Sequence, residues 1–185
     1  MPANRKKNGS SQSPISGPGK KYPDPTDNDF GQAMDDALAA ENYDLALEML
    51  NDLPPSMKKQ PPFMLMRAIV RLSMGDVPEA LRLFLELERK NPRFLALYPP
   101  QALFYMDQGW IAHALKAAKR AQTNRDAYDD SYADLPALVE EATEMIQLDA
   151  TKLGLSFEAM QRACIAYERA QMALLEDKLS EIDYF

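Results

Sequence analysis

Met74-Gly75-Asp76, followed by Glu79-Ala80-Leu81, is the stretch whose reading decides the fold. Further along, Gln108-Gly109-Trp110 is followed by His113-Ala114-Leu115 at the same internal offset, and the two turns stand 34 residues apart. Stepping back by the same interval from Ala80 reaches Ala46, inside Glu41-Asn42-Tyr43-Asp44-Leu45-Ala46-Leu47. Ala68 and Ala102 are separated by the same 34 residues. Apolar residues at helical spacing flank each turn. A fixed interval of this size, with a helix on either side of a short turn, marks a stack of helical hairpins, none of which buries its apolar face alone.

The segment from Phe63 to Pro92 carries the pattern in most detail. Ala68 and Ala80 sit where two helices cross closely and larger side chains would force them apart. Gly75 takes the positive φ that ends a first helix. Phe84 fills the gap toward the next hairpin, and Pro92 stops the second helix. On these residues the segment resembles a tetratricopeptide repeat. The resemblance implies an all-α chain of helical hairpins wound into a right-handed superhelix. It extends over about 100 residues, in three units with a 34-residue period. The outer units depart from it. Glu41 replaces the turn glycine of the first, Met34 its small residue, and Leu50 stands where Phe84 does. In the third, Ala118 stands there and Asp126 replaces the closing proline.

The domain plan follows. Residues 1–26 read as a disordered leader, because Asn8–Lys21 is Gly, Ser, Pro, Gln and Lys with a single Ile, too little apolar surface to offset the entropy of ordering. Pro23 and Pro25 keep the chain extended up to a helix cap at Thr26 or Asp27. Residues 27–128 hold the three repeats. Residues 129–185 are expected to cap the stack with two more helices. One runs from about Asp134 to Leu148, with Leu135, Leu138, Val139, Ala142, Met145 and Ile146 on one face. After a stop at Lys152-Leu153-Gly154, Ser156 caps a second helix that reaches about Leu179, with Phe157, Met160, Cys164, Tyr167, Ala170, Leu174 and Leu175 as its apolar positions.

The 185 residues carry a net charge of −7. The leader holds Arg5, Lys6, Lys7, Lys20 and Lys21 against Asp24, so it carries +4 and leaves −11 for the remainder. An acidic body repels nucleic acid and anionic lipid, so neither is expected as the partner. The lone cysteine, Cys164, gives no internal disulfide, and no run of about 18 apolar residues suggests a membrane span. The N-terminal basic residues have no apolar stretch behind them, unlike a secretory signal. A cytoplasmic protein is the expectation.

Catalysis has little to stand on, and no enzyme activity or cofactor is expected. His113 reads as a solvated residue on a helix face, without the convergent partners a metal needs. Cys164 reads as buried packing. Gly17-Pro18-Gly19 lacks the strand and helix of a phosphate loop. Asp126, Asp129, Asp130 and Asp134 lack the ligand spacing of a calcium loop.

The better candidate is a groove. In the family the first helix of each repeat lines a concave face along which partner peptides lie. Position by position, the resemblance assigns Asn28, Gly31, Asp35 and Leu38 to that face in the first unit. The second contributes Leu65, Ile69 and Leu72, and the third Pro99, Leu103 and Met106. Family members that grip a C-terminal carboxylate use Lys, Asn and Arg here. This chain has Gly31, Asp35, Met66, Ala96 and Pro100 instead, so that clamp is absent. The expected function is a protein-interaction module, an adaptor or scaffold that binds an apolar peptide or helix. A chaperone for an unfolded apolar client and a regulatory subunit of an enzyme are the alternatives. The apolar lining is also open to a third occupant, the chain's own last helix.

Overall fold

A computed structural model describes residues 28–123 and 134–182, and the described residues are all-α, with no strand. The helices are α1 (Asn28–Ala39), α2 (Tyr43–Asn51), a short α3 (Pro55–Lys58), α4 (Pro61–Ser73), α5 (Val77–Lys90), α6 (Tyr98–Asp107), α7 (Ile111–Gln122), α8 (Leu135–Leu153) and α9 (Phe157–Ile182). A 3-10 turn, Leu95–Leu97, leads into α6. The leader, the cap at Thr26 or Asp27, and Asp126, Asp129 and Asp130 lie outside the described residues.

The 34-residue interval is a property of the backbone. Glu41, Gly75 and Gly109 take left-handed φ values of 54°, 78° and 73°. At each, the turn residue donates to the carbonyl three residues back and the next residue to the one five back. Glu41 bonds Leu38 and Asn42 bonds Ala37. The same pairs recur as Gly75 to Leu72 and Asp76 to Arg71, then Gly109 to Met106 and Trp110 to Tyr105. This closure satisfies carbonyls that a helix end leaves unpaired. The packing repeats as well. Met34, Ala68 and Ala102 are fully buried, as are Ala46, Ala80 and Ala114, and Leu50, Phe84 and Ala118.

Successive hairpins share helices. Phe63, Met66 and Val70 of α4 pack with Phe30, Met34, Met49 and Leu50 of α1 and α2. Met64 and Ala68, on the other side of α4, join Leu81, Phe84 and Leu87 of α5. Further along, Phe84 stacks on Phe104 at 5.1 Å and Phe104 meets Trp110 edge-on at 5.7 Å. α7 repeats the two-sided pattern. Ala114, Ala117 and Ala118 face this central cluster, while Ala112 and Leu115 face Ala142 and Ile146 of α8. α9 then packs on α5, α7 and α8.

α8 extends past the expected end at Leu148 to Leu153, and Gly154 closes it in the left-handed conformation. Ser156 accepts from the Ala159 amide at 3.2 Å, the cap expected for α9. The apolar positions expected on α8 and α9 do not all face inward. Met145 is 42% exposed, because Leu138, Ala142 and Ile146 already form the stripe against α7. On α9 Glu168 and Met172 are buried, with Phe157, Cys164 and Leu175 half-buried on the same stripe, whereas Tyr167 (68%), Leu174 (64%) and Ala170 are exposed. The displaced residues are apolar but lie roughly a third of a turn away from the stripe that meets α7.

Two outcomes test this frame. Ala80→Leu should lower stability by about 1–3 kcal/mol, since overpacking a filled helix crossing strains it; unchanged urea unfolding would place the crossing elsewhere. Glu41→Gly should raise stability by about 0.5–1 kcal/mol, relief of left-handed strain exceeding the added freedom of the unfolded chain.

Candidate functional site

The groove positions divide. Asp35 and Gly31 of α1 are exposed and Leu38 is half-buried against the first cluster; of Asn28 only its place at the start of α1 is described. On α4, Leu65, Ile69 and Leu72 are each half-buried, with Leu65 and Leu72 packed on the central cluster. On α6, Leu103 is 44% exposed and Met106 half-buried. Pro99 is a correction: it is buried, in the first turn of α6, where the missing amide is no loss. On α4 and α6 solvent therefore still reaches Leu65, Ile69, Leu72, Leu103 and Met106. α9 packs chiefly on α5, α7 and α8 rather than along these helices.

The tightest polar site is the start of α7. Asn42 and Asp76 cap α2 and α5, accepting from the Leu45 amide at 3.3 Å and the Glu79 amide at 3.4 Å. The equivalent residue before α7 is Trp110, which has no oxygen to offer. Glu168 of α9 fills the gap: Oε1 accepts from the Ala112 amide at 2.9 Å and Oε2 from the His113 amide at 3.0 Å. Oε2 also lies 2.6 Å from His113 Nδ1, the ring nitrogen that donates to it. A carboxylate here also meets the positive end of the helix dipole. His113 is thus corrected from a solvated residue to one whose side chain is 11% exposed, against 5% for Glu168. Trp110 Nε1 donates to Gln171 of α9 at 3.1 Å, a second tie one turn further on.

Beside this junction, Gln101 Nε2 donates to the Tyr105 hydroxyl at 2.9 Å and to Glu88 at 3.3 Å, and Arg120 pairs with Glu88 at 2.6 Å. Burial, with the Glu88 charge adding to it, pushes the Tyr105 phenol well above its ordinary range, so it stays protonated. The cavity among these residues is only about 10 Å³, room for a single water. These groups satisfy one another and link α5, α6 and α7. Among the described residues no group of three or more His, Cys, Asp and Glu side chains converges as metal ligands do.

A second set of surfaces lies on the C-terminal hairpin. A cavity of about 160 Å³ opens between the start of α7, α8 and α9, lined by Ile111, Met145, Ile146, Asp149, Cys164 and Tyr167 among others. Burial, then Glu168 and Asp149, push the Cys164 thiol up, so it is a poor nucleophile. Met145 also borders an open groove of about 640 Å³ along α8 with Leu148, Glu141 and Glu144. Among the described residues no helix is long and apolar enough to cross a membrane.

Sequence reasoning missed Glu168, Gln101 and the role of Trp110. The signal for the first was a tryptophan where the two earlier turns carry Asn42 and Asp76, which leaves α7 in need of an acceptor from elsewhere. Comparison with protein-family models, curated proteins and solved structures finds none that matches this chain.

Glu168→Ala should lower stability by about 3 kcal/mol, because it strands two amides and the His113 ring at a buried helix start. Glu168→Gln should recover part of the loss through its remaining oxygen. Thermal unfolding followed by circular dichroism measures both; an alanine variant as stable as the parent would remove the junction from the account.

Proposed function

We propose that the chain is a tetratricopeptide-like interaction module that binds an apolar peptide or helix of another protein along its first helices, as an adaptor or scaffold in a cytoplasmic complex. One observation carries the reading. α4 and α6 bury Met64, Ala68, Ala102 and Phe104 in the core, yet leave Leu65, Ile69, Leu103 and Met106 within reach of solvent. An apolar side chain contributes about 1.5–3 kcal/mol when fully covered, so a few such residues give useful affinity. The recurring turn and the recurring buried alanines support the family resemblance. The polar residues of the His113–Glu168 junction are occupied with one another and with backbone amides.

Changing Ile69 and Leu103 together to Asp should keep the helical spectrum and abolish capture of the natural partner from native extract. The physical ground is that both side chains are partly solvated already, so the charges need not be buried in the free protein. An unfolded variant would show the positions to be core and end the groove reading. A single stoichiometric partner identifies an adaptor; an aggregation-prone client held in the same groove identifies the chaperone.

A further inference from the structure

The outer face of the α8–α9 hairpin exposes large apolar side chains beside its charged ones. Leu148 is 57% exposed, Tyr167 68%, Met145 42% and Leu155 44%. Met145, Leu148 and Tyr167 are not scattered. Met145 lines both the open groove along α8 and the cavity between α8 and α9, so it joins Leu148 on one side to Tyr167 on the other. The surface is thus an apolar seam that starts in a groove on α8 itself and runs into the cavity that α8 shares with α9 and the start of α7, and a further helix can lay its side chains into it.

Charge narrows the occupant. The open groove is lined by Glu141 and Glu144 and by no Lys or Arg. Among the described residues neither carboxylate has an ionic partner, whereas Lys152 is committed to Asp149 at 3.2 Å. A second copy of this chain would set these carboxylates against their own equivalents, and the net charge of −7 adds to that repulsion. We propose that the α8–α9 seam docks an amphipathic helix of a partner protein whose apolar stripe is flanked by Lys or Arg. The proposal stands apart from the groove on the first helices: it uses no residue of α1, α4 or α6.

The test uses the full chain and a labelled synthetic helix of Leu and Lys, about 18 residues or five turns long, read by fluorescence anisotropy. A Leu and Glu helix of the same pattern is the control. The Leu/Lys helix should bind, and more weakly as salt is raised. Leu148→Gln with Tyr167→Ser should weaken it by about tenfold or more. Glu141→Lys with Glu144→Lys should do the same while leaving the apolar surface intact. All four side chains are exposed, and circular dichroism checks that the variants fold. No binding, equal binding of the Leu/Glu helix, or indifference to both double variants would overturn the proposal. So would loss of binding only in the Ile69→Asp, Leu103→Asp variant, which would move the peptide to the groove. If Lys20→Glu with Lys21→Glu strengthens binding about tenfold, the chain's own N-terminal segment occupies the seam. If the full chain sediments as a dimer that Leu148→Gln dissolves, a second copy does. Either result also overturns it.

Discussion

The amide end of α7 is the point on which the C-terminal third of the protein turns. A helix start presents backbone donors that must be paired once buried. Asn42 and Asp76 meet that need locally for α2 and α5, but Trp110 does not for α7. Glu168, 56 residues away from Ala112, meets it instead. One carboxylate therefore sets the depth and register of α9 against α7. Gln171 and Met172 follow one turn later, into contact with Trp110 and the central cluster. Without that cap, α9 would have an apolar stripe interrupted by a buried charge, and α7 would have an orphaned end.

Upstream, cohesion is of another kind. α4 and α7 are each apolar on two sides, so the three clusters are linked in chain order by shared helices. Arg67 of α4 reinforces the first link by donating to the Leu50 carbonyl at 3.0 Å, where α2 ends. Burial holds the Arg67 guanidinium below its usual range, in the region where Arg71 and Arg82 also bear on it. Damage to one hairpin is passed to its neighbours through these helices rather than through the whole molecule at once.

Much of this was legible in the sequence, and the limits have physical causes. The turns at Glu41, Gly75 and Gly109 were readable because backbone closure demands a particular conformation at a particular place. The buried alanines were readable because a small residue recurs at the same place in successive units, with Met34 the exception in the first. The faces of α8 and α9 were harder. Apolar residues occur on more than one side of each, so periodicity could not say that Met145 and Tyr167 look outward while Glu168 looks in. His113 was misjudged because its partner lies far along the chain, and a lone histidine on a helix gives no sign of a distant carboxylate. Pro99 was assigned to the groove by register, but the 3-10 turn that precedes α6 belongs to this chain's own geometry.

Trp110 is the single tryptophan of the chain. It is 4% exposed, edge-on to Phe104 and Tyr105, and its indole hydrogen bonds to Gln171 of α9. The indole is therefore an optical gauge placed at the joint between the hairpin stack and its last helix. While α9 is seated the chromophore sits in a dry, aromatic setting. When α9 lifts, water reaches the ring, and its emission moves to longer wavelength. The protein carries within its own sequence a reporter of whether its C-terminal helix is docked, readable without a label and without disturbing either outward-facing surface.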